Sequence, residues 1–280
     1  MKESKKHISR EIGLEIGHIV GKGLFRLEHL HYGLWKKGLE PDILNLHTAQ
    51  DEYCKFIISH IPAEVKTILD VGCGAGAFSK RLIDLGYKVD CVCPTEYQNK
   101  LLEQLVGQTS EIFKCKFEDI KTDKKYDMVM FCESFQYIDL DRVIDIAAGL
   151  LKQGGFLLIC DFFKKHSADT CGIKGGHKLD KFMILLGQSS FKIIEDIDIT
   201  AETAPNLDIL DRATKEVMIP VVSAAERFFQ SRNPIILKVI KWKYRKKIAK
   251  AEQKYLKGNR AGKDFAEYKT YRLFVCRKVK

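Results

Sequence analysis

Short apolar runs of strand length, separated by turn-forming residues and by stretches of helical period, organise the chain from residue 67 onward. Thr67–Val71, Val89–Cys93, Ile112–Phe117, Tyr126–Cys132 and Phe156–Asp161 read as strands rich in apolar and β-branched residues, the character of a parallel sheet buried on both faces. Between them lie helical patterns. Ala49–Ile61 carries Tyr53, Phe56, Ile57 and His60 on a helical period and ends at Pro62, Ala77–Asp84 stops before Gly86, and Val143–Leu151 precedes a turn at Lys152–Gly155. Ser190–Thr200 and Tyr271–Val279 supply a sixth and a seventh strand, the last one alternating. Strand and helix in turn predict an α/β fold. Residues 1–30 form a helical segment with Ile12, Ile16, Ile19 and Val20, expected as a cap over the ligand cleft with a plain surface helix as the alternative, and two further helices, near Asp208–Phe229 and from Pro234 to about Gly258, precede the last strand.

Candidate chemistry enters at the carboxyl end of the first strand. Lys66–Arg81 reads KTILDVGCGAGAFSKR, so Gly72, Gly74 and Gly76 lie between a strand and a helix start. A turn without Cβ atoms lets a ligand lie against the backbone and the first N–H groups of the helix. The alternative is a tight turn with no ligand. The spacing differs from the GxGxxG dinucleotide fingerprint, because the third glycine comes one position early.

Asp70-Val-Gly-Cys-Gly-Ala-Gly76 resembles motif I of the class I S-adenosylmethionine-dependent methyltransferases. The resemblance covers about Tyr32 to Phe191. It implies a seven-stranded Rossmann-like sheet flanked by helices, with an N-terminal cap over residues 1–62, a cofactor-binding core over 63–200, a helical acceptor lid over 201–264 and a closing strand over 265–280. It also implies S-adenosylmethionine as cofactor and S-adenosylhomocysteine as product, with Asp70, Gly72, Cys73, Gly74 and Gly76 beside the methionine part. His31-Tyr-Gly-Leu-Trp35 resembles an element upstream of motif I in relatives that act on tocopherol and sterols or form cyclopropanes, which makes Tyr32 and Trp35 cofactor-side candidates and His31 a candidate base. An acid commonly ends the second strand to hold the ribose; here Cys93 stands there, and Thr95 and Gln98 replace it, with Glu96 in reserve. Glu118 and Asp119 follow the third strand, where the family contacts adenine. Cys132 ends the fourth strand on the cofactor side, and the loop Glu133–Asp139 faces sulfonium and acceptor in the family, so Glu133 and Tyr137 join His31 as catalytic candidates. The loop 162–181, with His166 and His177, is expected on the acceptor side.

Charge changes the picture only at one end. The net charge is +10, yet the segment from Lys238 to Lys280 holds 16 basic and three acidic residues, so the excess belongs to the C-terminal segment. Trp242 and Tyr244 among its lysines suit a peripheral membrane helix, with RNA as the other anionic partner and a solvated helix as the plain alternative. Nine cysteines lack regular spacing, which fits a reducing compartment; Cys91-Val-Cys93 has no second pair, and no metal site is expected. No apolar run is long enough to cross a bilayer and Met1–Arg10 is polar, so a cytoplasmic location is expected, with peripheral membrane contact through the basic segment. The reading is methyl transfer to a small, partly apolar acceptor; a lipid-modifying enzyme, an RNA methyltransferase and a non-catalytic cofactor-binding regulator are the alternatives.

Overall fold

A computed structural model describes residues 2–165, 173–255 and 261–279. His166, Cys171 and the expected helix end at Gly258 lie outside these residues.

Seven strands form one sheet: β1 (Thr67–Val71), β2 (Lys88–Val92), β3 (Ile112–Phe113), β4 (Tyr126–Cys132), β5 (Leu151–Lys164), β6 (Phe191–Asp198) and β7 (Lys269–Lys278). Their order is β3-β2-β1-β4-β5-β7-β6, and β7 alone runs antiparallel to its neighbours. Alternation along the central strands sends side chains to two cores. Ile68, Met128, Met130 and Leu158 pack with Tyr53, Cys54 and Ile57 of the helix Leu46–Ser59 and with Phe78 and Leu82 of Ala77–Asp84. Leu69, Val71, Val129 and Phe131 pack on the other face against the helices Leu140–Leu150 and Leu179–Gly187. Because helices cover both faces, the strands can be apolar throughout, as the sequence pattern indicates.

Two strand boundaries differ from expectation. Only Ile112–Phe113 of the predicted third strand pairs with β2; the chain then closes a 3₁₀ turn, Phe117–Asp119, whose Phe117 ring packs edge-on to Phe131. Lys152–Gly155, expected as a turn, lies inside β5. Leu151 pairs with Tyr126 and the register slips before Met128 meets Phe156, with Gly154 at φ +75 absorbing the irregularity.

The helical additions also differ. In the N-terminal helix Lys2–Phe25, Ile12, Ile16, Ile19 and Val20 are exposed. The face turned to the protein is fixed by polar groups instead: Glu11 accepts from the Glu96 N–H at 2.8 Å, and His18 Nδ1 meets Tyr97 Oη at 3.0 Å. Between β6 and β7 run Pro205–Ala213, a π-helical turn Thr214–Met218, Ile219–Arg232, Pro234–Tyr255 and Gly262–Tyr268. Leu207 and Ile209 are buried, but Val217, Met218, Val221, Val222, Phe228 and Phe229 face outward. Periodicity marks such a face without saying what it meets. No helix among the described residues is long and apolar enough to cross a membrane.

Candidate active site

The carboxyl ends of β1, β2 and β4 meet where the strand order reverses between β1 and β4, the position at which open α/β sheets form a crevice. A cavity of about 480 Å³ opens there. Its floor is the glycine loop. Gly72, Gly74 and Gly76 have φ of +75, +59 and +90, a region that side chains with a Cβ occupy only with strain. Gly72 is also a close approach: a Cβ on it would lie 2.4 Å from Cβ of Ser134, whose hydroxyl donates to the Val71 carbonyl. At Gly74 the space is open, the nearest atom to such a Cβ being Gln98 Nε2 at 3.9 Å.

Asp70 ends β1 in the cavity wall, buried, and accepts from the Ser79 hydroxyl at 2.6 Å. Burial pushes its carboxyl up to about 6, because that one hydrogen bond only partly replaces water. After β2 the cavity is lined by Cys93, Thr95 and Gln98, and the Thr95 hydroxyl donates to Gln98 Oε1 at 2.6 Å. The neighbouring Cys73 thiol and then Thr95 hold the Cys93 thiol below its ordinary range. Glu118 lines the cavity and accepts from the Asp139 N–H at 3.0 Å; Asp119, one residue on in the same 3₁₀ turn, is not among the lining residues.

Glu133 follows β4 with φ +57, a left-handed conformation that is costly for glutamate. Its Oε1 accepts from the Tyr32 N–H at 2.6 Å and from the Tyr271 hydroxyl at 2.8 Å. Tyr271 Oη lies 3.1 Å from Tyr53 Oη in the same buried network. Burial pushes the Glu133 carboxyl up to about 8; the Tyr32 N–H opposes this, and the buried Asp161 adds to it. The site thus holds a carboxylic acid that changes charge near neutral pH, with one face on the cavity.

The match to known proteins falls on these same elements. Residues 69–159 match a family model described as a methyltransferase domain. The chain contains a methyltransferase domain. Among curated relatives, it is 28% identical over 157 residues to the human mitochondrial ubiquinone biosynthesis O-methyltransferase, covering 48% of this chain and 42% of that protein. It is 24% identical over 215 residues to the ubiquinone biosynthesis O-methyltransferase of Rickettsia felis, covering 70% of this chain and 86% of that one. An uncharacterised methyltransferase of Mycobacterium tuberculosis is 29% identical over 97 residues, 35% of this chain and 40% of the relative. The chain thus spans less than half the length of the mycobacterial and human relatives it matches. Of solved structures, a geranyl diphosphate methyltransferase in complex with GPP and sinefungin superposes with a TM-score of 0.67 at 16% identity, over 92% of this chain and 91% of that one. SpnF, a cyclase, superposes with 0.65 at 15% identity, over 96% and 95%. The fold is therefore that of the methyltransferases, and the cyclase shows that the fold alone does not fix the reaction.

Around the methyltransferase domain's cleft, the other residues singled out by sequence fall in different places. Gly72, Cys73, Gly74, Cys132 and Tyr137 line it, Tyr137 at the mouth with 61% of its surface exposed. Gly76 sits behind the lining, where a Cβ would lie 2.6 Å from Leu102 Cδ1. Tyr32 reaches the site through its backbone N–H, and its ring lies 6.2 Å from that of Tyr271. Trp35 is buried against Ala49 and Ile209 with its backbone N–H on the Glu202 carbonyl at 2.8 Å, and it is not among the lining residues. His31 lines the cleft, but Nδ1 lies 2.7 Å from its neighbour's carbonyl, at Tyr32, and Nε2 lies 3.5 Å from Cys54 Sγ. Burial, and then His29, push the imidazole down to about 3, so the ring is neutral at physiological pH.

Residues that local pattern does not reveal hold the wall from behind. Tyr271 comes from β7, almost at the end of the chain. Asn206 holds Gly33 by accepting its N–H at 2.8 Å and donating to its carbonyl at 2.7 Å. Gly33 permits this because a Cβ there would lie 2.5 Å from Ala49 Cβ. Asp161, fully buried, accepts from the Gln136 and Phe162 N–H groups and fixes the loop after β4. An aspartate within an otherwise apolar strand was the visible signal for the last.

Proposed function

We propose that the chain transfers the methyl group of S-adenosylmethionine to a small, partly apolar acceptor and releases S-adenosylhomocysteine. The observation that carries this reading is a buried, cavity-lining carboxylate, Asp70, beside a glycine loop whose Cβ-less face at Gly74 leaves room for a ligand, all within a methyltransferase domain. The donor set fits such a cofactor. Asp70 suits its amino group, the Gly72–Gly74 backbone its chain, Thr95 and Gln98 the ribose hydroxyls, and Glu118 the adenine amine. When bound, the cofactor supplies the electrophilic methyl group; the protein aligns the acceptor, keeps water out and takes up a proton.

Glu133 is the proposed proton acceptor, with its second oxygen available beyond the bonds to Oε1. Positive charge in the cleft lowers the carboxyl from about 8 and ionises it. His31, with both ring nitrogens engaged, is better read as part of the wall, and Tyr137 as a hydrogen-bond donor at the mouth. The relatives' names, ubiquinone biosynthesis and geranyl diphosphate, support an acceptor with an apolar chain, and the O-methyltransferases among them support a hydroxyl as the group that loses a proton.

Calorimetric titration with S-adenosylhomocysteine tests the cofactor assignment. Asp70 titrates near 6 in the free protein, and an ammonium beside it favours the charged form. Binding at pH 6 should therefore release protons, read as a heat that differs between buffers of different ionisation enthalpy. Asp70→Asn should lose that dependence and weaken binding by about 10- to 100-fold, the worth of one charge-assisted hydrogen bond. Absence of binding at millimolar ligand removes the reading. Retained binding with no transfer across hydroxyl acceptors selects the regulator instead.

The outward face of the insertion supports peripheral contact with an anionic membrane, which would suit an apolar acceptor. Phe228, Phe229, Ile235, Ile236, Val239, Ile240 and Trp242 are exposed, and Lys238, Lys241, Lys243, Arg245, Lys246 and Lys247 lie among the last of them. Neutral polar or purely basic surfaces need no such apolar residues, which places RNA second. The full chain should co-sediment with phosphatidylserine vesicles and not with phosphatidylcholine vesicles, and Lys243→Glu with Lys246→Glu and Lys247→Glu should reduce the bound fraction several-fold. Equal binding by the triple variant excludes this contact.

A further inference from the structure

Outside the glycine loop, one side-chain cluster among the described residues brings together donor types that methyl transfer does not use. His29 and His31 line the cleft one residue apart, and Cys54 lies behind them on the helix Leu46–Ser59. His31 Nε2 is 3.5 Å and His29 Nε2 is 3.7 Å from Cys54 Sγ, and the three donor atoms all lie within 4.8 Å of one another. We propose that these three side chains bind a zinc-type transition metal ion, leaving its fourth position to water or to a donor atom from the cleft.

The nitrogen–sulfur distances are close to those the ion requires. Zinc bonds of about 2.0–2.1 Å to nitrogen and 2.3 Å to sulfur, at tetrahedral angles, separate a nitrogen and a sulfur ligand by roughly 3.5 Å. Two imidazoles and a thiolate are also the donor set that such an ion prefers over magnesium or calcium, which take oxygen ligands. Three protein ligands and an open position describe a site that can exchange a ligand.

The surroundings orient the donors. Nδ1 of His31 faces the Tyr32 carbonyl at 2.7 Å, so Nδ1 carries the hydrogen and donates it, and the Nε2 lone pair is left toward Cys54. A ligating histidine that gives its other N–H to a backbone carbonyl is the usual outer-shell arrangement. Gln50, buried and one helical turn before Cys54, donates its amide to the His29 carbonyl at 3.1 Å and to the His31 carbonyl at 2.7 Å. One side chain thus clamps the His29-Leu30-His31 segment against the helix that carries the thiol. Burial pushes the Cys54 thiol up to about 12 and the Arg81 guanidinium opposes this only in part, so binding the ion has to displace the thiol proton. The two imidazole rings stack at 4.6 Å between centroids and tilt by 31°.

The assignment reverses the sequence expectation of no metal site. The signal was divided between a His-x-His segment and a cysteine 23 positions on, which matches no short ligand motif. It is independent of the methyl-transfer reading, since its test reads the metal alone. The full chain, stripped with chelator and titrated with Co(II), should take up one equivalent and develop a visible d–d band of tetrahedral intensity together with a near-ultraviolet thiolate-to-cobalt band; Zn(II) should displace both. Cys54→Ser should abolish the charge-transfer band, and His29→Ala should weaken binding at least tenfold while circular dichroism stays unchanged. Cys93→Ser, which alters one of the thiols that line the cleft, should bind as the parent does. Overturning outcomes are no stoichiometric uptake, or a charge-transfer band that survives Cys54→Ser and disappears with Cys93→Ser.

Discussion

Replacing Glu133 by glutamine is expected to lower turnover by about 10²- to 10⁴-fold, the usual contribution of a positioned general base. The variant keeps an oxygen to accept from the Tyr32 N–H and the Tyr271 hydroxyl, so the wall of the cleft should survive the change. Affinity for S-adenosylhomocysteine should stay within a few-fold. The parent's kcat/KM should rise with pH and level off above about 8, where the carboxylate of the free protein is formed, and the variant should lose that limb. Stability moves in the opposite direction. A glutamate carboxyl ordinarily titrates at 4.5 and this one sits near 8 when folded, so below pH 4.5 the group contributes its full stabilisation, and this is lost as pH rises through about 8. Glutamine does not titrate; the melting temperature of Glu133→Gln relative to the parent should therefore climb between pH 5 and pH 8. Turnover within threefold of the parent under single-turnover conditions would remove Glu133 from the proton transfer.

The glycine loop and the apolar strands beside it were legible because each is a local event. Thr67–Val71 and Tyr126–Cys132 are apolar without interruption, and three glycines close together announce backbone that other residues enter only with strain. The partners of the site were not legible, since Tyr271, Asn206 and Asp161 reach it from elements far along the chain. Residue type without position also misdirects. Trp35 is an aromatic two residues after a glycine in either reading, but its backbone N–H is tied to the Glu202 carbonyl and its side chain packs on Ala49 and Ile209. Glu118 and Asp119 are chemically alike, and a 3₁₀ turn puts only the first on the cavity. The insertion shows the same limit for packing. Its apolar period is real, yet Val221, Phe228 and Ile236 have no core to meet, because β6 and β7 are already covered by Leu179–Gly187 on one face and by Leu207 and Phe265 on the other.

Alanine at Gly74 and at Gly72 should separate a ligand cradle from a plain turn. Both positions have positive φ, so each substitution carries a strain of roughly 1–2 kcal/mol. At Gly72 a second cost adds to it. The new methyl would overlap Ser134 Cβ, and the backbone cannot retreat, since the Gly72 N–H is held by the Val92 carbonyl at 2.8 Å. An overpacked site costs about 1–3 kcal/mol more. Gly72→Ala should therefore lose both stability, by roughly 5–15 °C in melting temperature at about 2–4 °C per kcal/mol, and cofactor binding. Gly74→Ala meets no protein atom closer than 3.9 Å, and its methyl enters the cavity that Gly74 lines. Its melting temperature should fall by only a few degrees, whereas affinity for S-adenosylhomocysteine should drop at least tenfold, because the space the methyl takes is the space the ligand needs. A Gly74→Ala protein that binds the cofactor as tightly as the parent would mean that the loop turns the chain and holds nothing, and the functional reading built on it would fail with it.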